Sequence, residues 1–254
     1  MPENAVRARS GGVQSVERAF DLLEIMAEAG GEISLSDLSA TAKLPMPTIH
    51  RLLRTCVKLG YARQLPSRRY ALGARLIPLG ELAGRQLGRV AQPRLAEIVQ
   101  ELGETANMAL LDGDHVVYVA QQPSLHAMRM FTEIGRRVNL HDTGVGKAIL
   151  AGMSDDEVRG IMNRVGMPTP TAKSHSTIDS LLADLDQIRQ RGYAIDNEEQ
   201  EIGVRCYAVA IPGSPSAMAI SVSGPLARVD EEFGRRAVPV LRRAADAIAA
   251  DLVS

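Results

Sequence analysis

Residues 47–58 place two chemistries at helical spacing. Ile49, Leu52, Leu53, Cys56 and Val57 share one face, which suits packing against other helices. Thr48, His50, Arg51, Arg54, Thr55 and Lys58 share the opposite face, as hydrogen-bonding and cationic groups able to reach base edges and phosphates in a major groove. Ser36, Met46 and Pro47 lie just upstream, and Arg68 and Arg69 form a basic turn downstream; with the helix face they make the candidate DNA-contacting set. A polar outer face alone describes any surface helix, so charge has to decide. Between Asp37 and Glu81 there is no acidic residue, yet Lys43, Arg51, Arg54, Lys58, Arg63, Arg68, Arg69 and Arg75 all fall there. Residues 1–75 carry 11 Lys/Arg against 7 Asp/Glu, and the remainder 18 against 23. A concentrated basic stretch on a chain of net charge -1 is the footprint of a polyanion site.

A second set of chemistry-bearing residues lies in the acidic remainder. The run His141-Asp142-Thr143-Gly144-Val145-Gly146-Lys147 lacks the spacing of a phosphate-binding nucleotide loop. Its glycines allow close backbone approach at the start of a helix, where free N–H groups favour a small anion such as a carboxylate. A plain glycine-rich helix start fits that segment equally well. Ser221 and Ser223 are two apart on an expected strand, so both hydroxyls can face one pocket, or simply form its polar face. Cys206 fits a small buried apolar residue. As a nucleophile it would need His141 or His175 within hydrogen-bond reach as a base. Together with His141 and Asp196 it would offer imidazole, carboxylate and thiolate to a metal such as zinc, although no ligand spacing signals such a site. An enzyme would leave the basic N-terminal third without a purpose, so a binding protein without cofactor is the expectation.

The elements that position these groups can be read from periodicity. After a polar, Gly-containing start (Arg9, Ser10, Gly11, Gly12), a first helix runs through Val16, Ala19, Phe20, Leu22, Leu23 and Met26 to Gly30-Gly31. Ser34 caps a second helix, with Asp37 as its capping-box-like partner, and Lys43-Leu44-Pro45 breaks it. The third helix spans residues 47–59 and stops at Gly60. Strands at 61–65 and 70–72 around Pro66-Ser67-Arg68-Arg69 make a wing. From Gly73 to Arg89, Pro78 is expected to kink or split a helix, and a further helix covers 93–102. Strands are expected at 107–111, 115–121, 127–131, 208–211 and 217–222, and helices at 146–152, 154–165, 177–191 and 230–253. That is an antiparallel sheet covered by helices, an α+β domain.

Composition narrows the field further. With 254 residues, 45% hydrophobic and 23% charged, the chain has room for two ordinary globular domains. The two cysteines form no CxxC pair, and Trp is absent with aromatics at 3%, which argues against a zinc knuckle and against a base-stacking platform. Neither a signal peptide nor a membrane span is expected, and a cytoplasmic location follows.

Several phrases together resemble the IclR family of bacterial transcriptional regulators. They are Val13-Gln14-Ser15-Val16-Glu17-Arg18-Ala19, residues 44–53, Leu59-Gly60-Tyr61 and Tyr70-Ala71-Leu72-Gly73. Residues 192–199, 203–206 and 219–225 resemble that family's effector-pocket segments. The resemblance implies a winged helix-turn-helix DNA-binding domain over 1–73, a dimerising linker helix over 74–90 and a GAF-like effector-binding domain over 91–254. It implies a regulator, a repressor of a catabolic operon, that binds a palindromic double-stranded operator as a homodimer or homotetramer. Pro47 departs from the family's usual small polar residue and removes a capping or phosphate-binding hydroxyl. In the pocket, the resemblance maps backbone N–H groups onto Gly144 and Val145 and polar side chains onto Asp196, Cys206, Ser221 and Ser223. It maps an apolar wall onto Met130, Leu140, Leu150 and Val204. Arg129-Met130-Phe131 and the spacing from Asp196 to Cys206 resemble the allantoin-utilisation repressor subgroup, which answers glyoxylate. The implied effector is a small organic acid such as glyoxylate or pyruvate, its carboxylate at the helix N-terminus and its hydroxyl or carbonyl end at Asp196.

Overall fold

Ser34 opens the second helix as its position requires, its Oγ accepting the Asp37 amide at 3.1 Å and donating to Asp37 Oδ2 at 2.7 Å. The computed structural model describes residues 13–130, 132–214 and 216–253. The polar start at Arg9–Gly12 and Phe131 of the resembling phrase lie outside the described residues. The chain divides into two units, Met1–Ala83 and Gly84–Ser254.

In the first unit, α1 (Gln14–Glu28), α2 (Leu35–Ala42) and α3 (Met46–Leu59) enclose Leu22, Met26, Leu38, Ile49 and Leu53, all buried. Lys43 ends α2 in the left-handed region at φ 52°, and Ser39 Oγ donates to the Leu44 carbonyl at 2.7 Å, closing the tight turn into α3. Gly60 stops α3 at φ 83°. Of the expected packing face, Val57 is exposed and Leu52 only half buried, because Ile49, Leu53 and Cys56 already fill the contact. The wing pairs β1 (Ala62–Gln64) with β2 (Tyr70–Leu72), Gln64 opposite Tyr70. Ile33 bonds Tyr70 in both directions at 2.9 and 2.8 Å, which ties the α1–α2 turn to the wing.

The expected break near Pro78 does not occur. Instead α4 runs unbroken from Leu76 to Leu102, and the boundary between the units falls within it. Pro78 sits in the first turn, where its missing N–H would have had no intrahelical acceptor.

In the second unit one sheet has the order β5-β4-β3-β8-β7-β6, every neighbouring pair antiparallel. Its strands are β3 (Thr105–Asp112), β4 (His115–Gln122), β5 (Arg137–Val138), β6 (Ala194–Asn197), β7 (Val204–Ala210) and β8 (Met218–Pro225). Met108, Tyr207, Ile220 and Val222 face a core shared with α8 (Glu231–Val253) and with Leu95 and Ile98 of α4. Ala109, Ala208 and Ala219 face a second core beneath α5 (Gly144–Leu150), α6 (Asp155–Val165) and α7 (Ile178–Arg191). These three alanines leave the room that lets helices lie close to the sheet.

No strand forms at 127–130. Pro123, which has no N–H to donate, ends the pairing after Gln122. Ser124 then fixes the chain by side-chain bonds, its amide to Thr105 Oγ1 at 3.1 Å and its Oγ to the Gly103 carbonyl at 2.6 Å. The edge position goes to β5, with Val116 opposite Val138. Among the described residues no helix is long and apolar enough to cross a membrane.

Candidate DNA interface and effector cavity

The polar face of α3 stands open. Pro47, His50, Arg51, Arg54, Thr55 and Lys58 are exposed, as are Ser36 and Met46, while Thr48 is half buried. The face is not uniform. Arg51 and Thr55 border an apolar cavity of about 560 Å³ that Phe20, Leu52, Leu59 and Leu76 also line, and the Thr55 hydroxyl donates to the Arg51 carbonyl at 3.2 Å. His50 and Arg54 stand clear of that flank. The two wing arginines also differ. Arg68 sits at the tip with φ 62°, whereas Arg69 donates to the Glu32 carbonyl at 2.9 Å and pairs with Glu32 Oε1 at 3.4 Å. Arg69 therefore braces the wing against the α1–α2 turn.

In the second unit a cavity of about 260 Å³ opens on the sheet face beside α5. Of the residues expected there, Met130, Gly144, Asp196, Val204, Cys206 and Ser223 line it. The register explains the convergence: Asp196 of β6 faces Cys206 of β7, and Cys206 faces Ser223 of β8, in one row across three strands. Ser221 lies one row further along, opposite Ala208, and is buried. Leu140, Val145 and Leu150 belong to the adjoining apolar core. Gly144 is needed for close approach, since a Cβ there would stand 2.9 Å from Cys206 Sγ. A Cβ on Gly146 would stand 2.3 Å from the Leu140 carbonyl oxygen. Thr143 caps α5, its Oγ1 accepting the Gly146 amide at 3.1 Å, so the Gly144 and Val145 amides precede the first intrahelical bond.

The electrostatics at this row suit hydrogen bonding better than nucleophilic chemistry. Burial, and then the nearby Glu199 carboxylate, push Asp196 up to about 7, although its Oδ1 accepts the Glu199 amide at 2.8 Å. Burial, then Asp196, push the Cys206 thiol up to about 12. A thiol so hard to ionise is a poor nucleophile. Its expected bases are engaged elsewhere: His141 Nε2 with the Pro168 carbonyl at 2.8 Å, and His175 Nδ1 with Ser180 Oγ at 3.2 Å. The arrangement does not build a cysteine enzyme.

Nor does it gather His141, Asp196 and Cys206 around a metal position. The metal-type ligands drawn together among the described residues are His175, Asp184 and Glu199. A cation already sits there. Buried Lys147 donates to Asp184 Oδ2 at 2.7 Å and to Glu199 Oε1 at 2.6 Å. Burial alone would raise Asp184, but the His175 hydrogen bond and the Lys147 ammonium outweigh it and hold the carboxyl well below the usual range. A metal ion would have to share both carboxylates with that ammonium.

Tyr118, Thr132, Arg136, Gln200 and Glu201 also line the cavity, and sequence reasoning did not find them. Thr132 and Arg136 sit in the segment around the expected strand that does not form. Tyr118 reaches the cavity face through a bulge: Met108 pairs with Ala120 but Ala109 pairs with Tyr118, leaving Val119 as an extra residue. Nothing in the alternation of 115–121 marks that shift.

A helix-turn-helix with a wing, joined to a separate sheet domain holding a polar cavity, defines the two-part class of DNA-binding transcriptional regulators. The chain belongs to the IclR family of that class: residues 15–66 match the IclR helix-turn-helix domain, and residues 80–250 match the bacterial transcriptional regulator IclR C-terminal domain. It is 39% identical over 248 residues to the transcriptional repressor IclR of Escherichia coli (strain K12), covering 92% of this chain and 89% of that one. The repressor AllR of the same organism is 31% identical over 236 residues, covering 91% and 87%. The fold is shared with an IclR homologue from Microbacterium hydrocarbonoxydans complexed with 4-hydroxybenzoate, at TM-score 0.77 and 23% identity over 94% of this chain and 98% of that one. The family consists of transcriptional regulators, not enzymes.

Proposed function

We propose that this regulator is a cytoplasmic repressor of a catabolic operon, released from its operator by a small organic acid bound in the 260 Å³ cavity. One observation carries the reading: Gly144 of α5 and Asp196, Cys206 and Ser223 of three paired strands line one cavity. The family resemblance offers glyoxylate and pyruvate as first candidates, which would put the carboxylate at the Gly144 and Val145 amides and the second oxygen at Asp196. An Asp196 that holds its proton near neutrality can donate to an acid's oxygen, which removes the apparent repulsion between two carboxylates. The 4-hydroxybenzoate complex of the Microbacterium relative supports a carboxylic acid as the ligand type.

Residues 1–73 would bind DNA, 74–90 would link, and 91–254 would sense. A palindromic operator and a homodimer or homotetramer fit the first unit's apolar surface, where Val16, Phe20, Ile77 and Leu79 are all more than half exposed. A second copy would cover them. Thermal-shift screening against 2-oxo and hydroxy acids, followed by operator-binding anisotropy with each stabilising acid, tests the reading. Stabilisation without any change in operator affinity would refute it.

A further inference from the structure

Two consecutive arginines precede Val138 and diverge. Arg137 donates to Asp112 Oδ2 and is thereby neutralised on the outer surface. Arg136 lines the cavity, and among the described lining residues it carries the only cationic side chain. Its backbone is held firmly. The Tyr118 amide donates to the Arg136 carbonyl at 3.2 Å, and the Gly135 amide donates to the Tyr118 carbonyl at 2.8 Å. Arg136 and Tyr118 are thus fixed to one another and open into the same space. Tyr118 is 9% exposed, and its hydroxyl lies close enough to Cys206 and Asp196 to feel both. Burial raises that phenol, so it remains a hydrogen-bond donor at any working pH.

Size adds an independent constraint. The cavity's 260 Å³ is many times the space that one water needs. A two- or three-carbon acid leaves much of that space unfilled.

We propose that Arg136 anchors the effector's carboxylate and that Tyr118 donates to a second oxygen further in, so that the cavity selects an oxo or hydroxy acid longer than three carbons. This assignment rests on the acid-sensing reading above, and it places the carboxylate at the rim instead of beside Gly144. The exposed position of Arg136 suits a charged group, while buried Asp196 and Ser223 and half-buried Gln200 provide uncharged or protonatable partners. Met130 and Val204 would cover the carbon chain between the two ends.

Calorimetry on the full-length protein with pyruvate, 4-oxopentanoate, 4-oxopentanamide and pentanoate tests it. Wild type is expected to bind 4-oxopentanoate more tightly than pyruvate and roughly tenfold more tightly than the amide, as a charge-assisted bond at a partly exposed site allows. Arg136→Gln should erase the acid-over-amide preference, and Arg136→Lys should restore part of it. Tyr118→Phe should erase the preference for 4-oxopentanoate over pentanoate, with thermal unfolding of each variant showing the fold intact. An undiminished acid preference in Arg136→Gln, or tighter binding of pyruvate than of the longer acid, overturns this assignment while leaving acid sensing in place. If no acid binds wild type at all, acid sensing itself fails and this assignment fails with it.

Discussion

Asp196 and Cys206 are direct cross-strand partners, and the Asp196 carboxyl helps keep the Cys206 sulfur a thiol. Asp196 itself is held near 7 by burial and by Glu199, with Lys147 and two backbone amides opposing. The native state therefore keeps a proton that the unfolded chain gives up at ordinary carboxylate pH. The stability this proton contributes is fully present below about pH 4 and is lost as pH rises through about 7. Asp196→Asn removes that dependence. Relative to wild type, the variant should gain stability between pH 4.5 and 8, by on the order of 3 kcal/mol, and level off above. Urea unfolding across that range measures it; a wild-type-minus-variant difference that does not change with pH would show that Asp196 does not titrate there.

Among the described residues Lys147 is the largest fully buried side chain, and its ammonium joins two carboxylates from separate elements. Lys147→Met leaves Glu199 without its ammonium partner and Asp184 with only Arg191 and His175. The expected loss is about 3–5 kcal/mol of unfolding free energy, the usual penalty for breaking a buried ion pair on one side. A loss below about 1 kcal/mol would mean that water already reaches the carboxylates.

The cavity wall depends on contact between α5 and β7 at Gly144. Gly144→Ala drives a methyl to 2.9 Å from Cys206 Sγ, so the cavity must distort and acid affinity should fall at least tenfold. Adding Cys206→Ala removes the clashing sulfur and should recover part of the packing. A double-mutant cycle in thermal stability reads this directly, and strict additivity of the two changes would rule out the contact.

On DNA, positioning and reading should separate. Arg68→Ala at the wing tip is expected to weaken cognate and scrambled duplexes alike and to lower the salt slope by about one. Arg54→Ala, and to a smaller extent Arg51→Ala on the apolar flank, should cost roughly 1–3 kcal/mol on cognate sequence alone. Arg69→Ala should act through the wing's attachment to Glu32, lowering thermal stability as well as affinity. Anisotropy titrations at several salt concentrations decide among these, and equal losses on both duplexes for Arg54→Ala would contradict base reading.

The DNA-binding half was legible because each of its signals is local. Ser34 caps, Gly60 stops, the face of α3 alternates by helical period, and the absence of acid from 38 to 80 needs no tertiary structure to be seen. The helices expected at 146–152, 154–165, 177–191 and 230–253 form as α5 to α8, and the structure caps the first three with Thr143, Ser154 and Thr177. What stayed hidden depends on non-local geometry. The short β6 carries Asp196 and has too few residues to show alternation, and the Val119 bulge that turns Tyr118 inward exists only against β3. Arg136 and Thr132 lie in an irregular stretch held by backbone bonds to Tyr118. Lys147 read as part of a glycine-rich loop because its two carboxylate partners are 37 and 52 residues away.

An acid bound in this cavity is proposed to govern DNA binding. The most direct measurement is operator affinity, with and without the stabilising acid, for wild type, Asp196→Ala and the double change Ser221→Ala with Ser223→Ala. A ligand shifts affinity only through its differential binding to the two states, so removing these polar groups should abolish the response and leave ligand-free operator binding near wild type. Expected is a wild-type loss of operator affinity on adding acid and flat curves for both variants. Full acid response in both variants would place the effector elsewhere and contradict the claim.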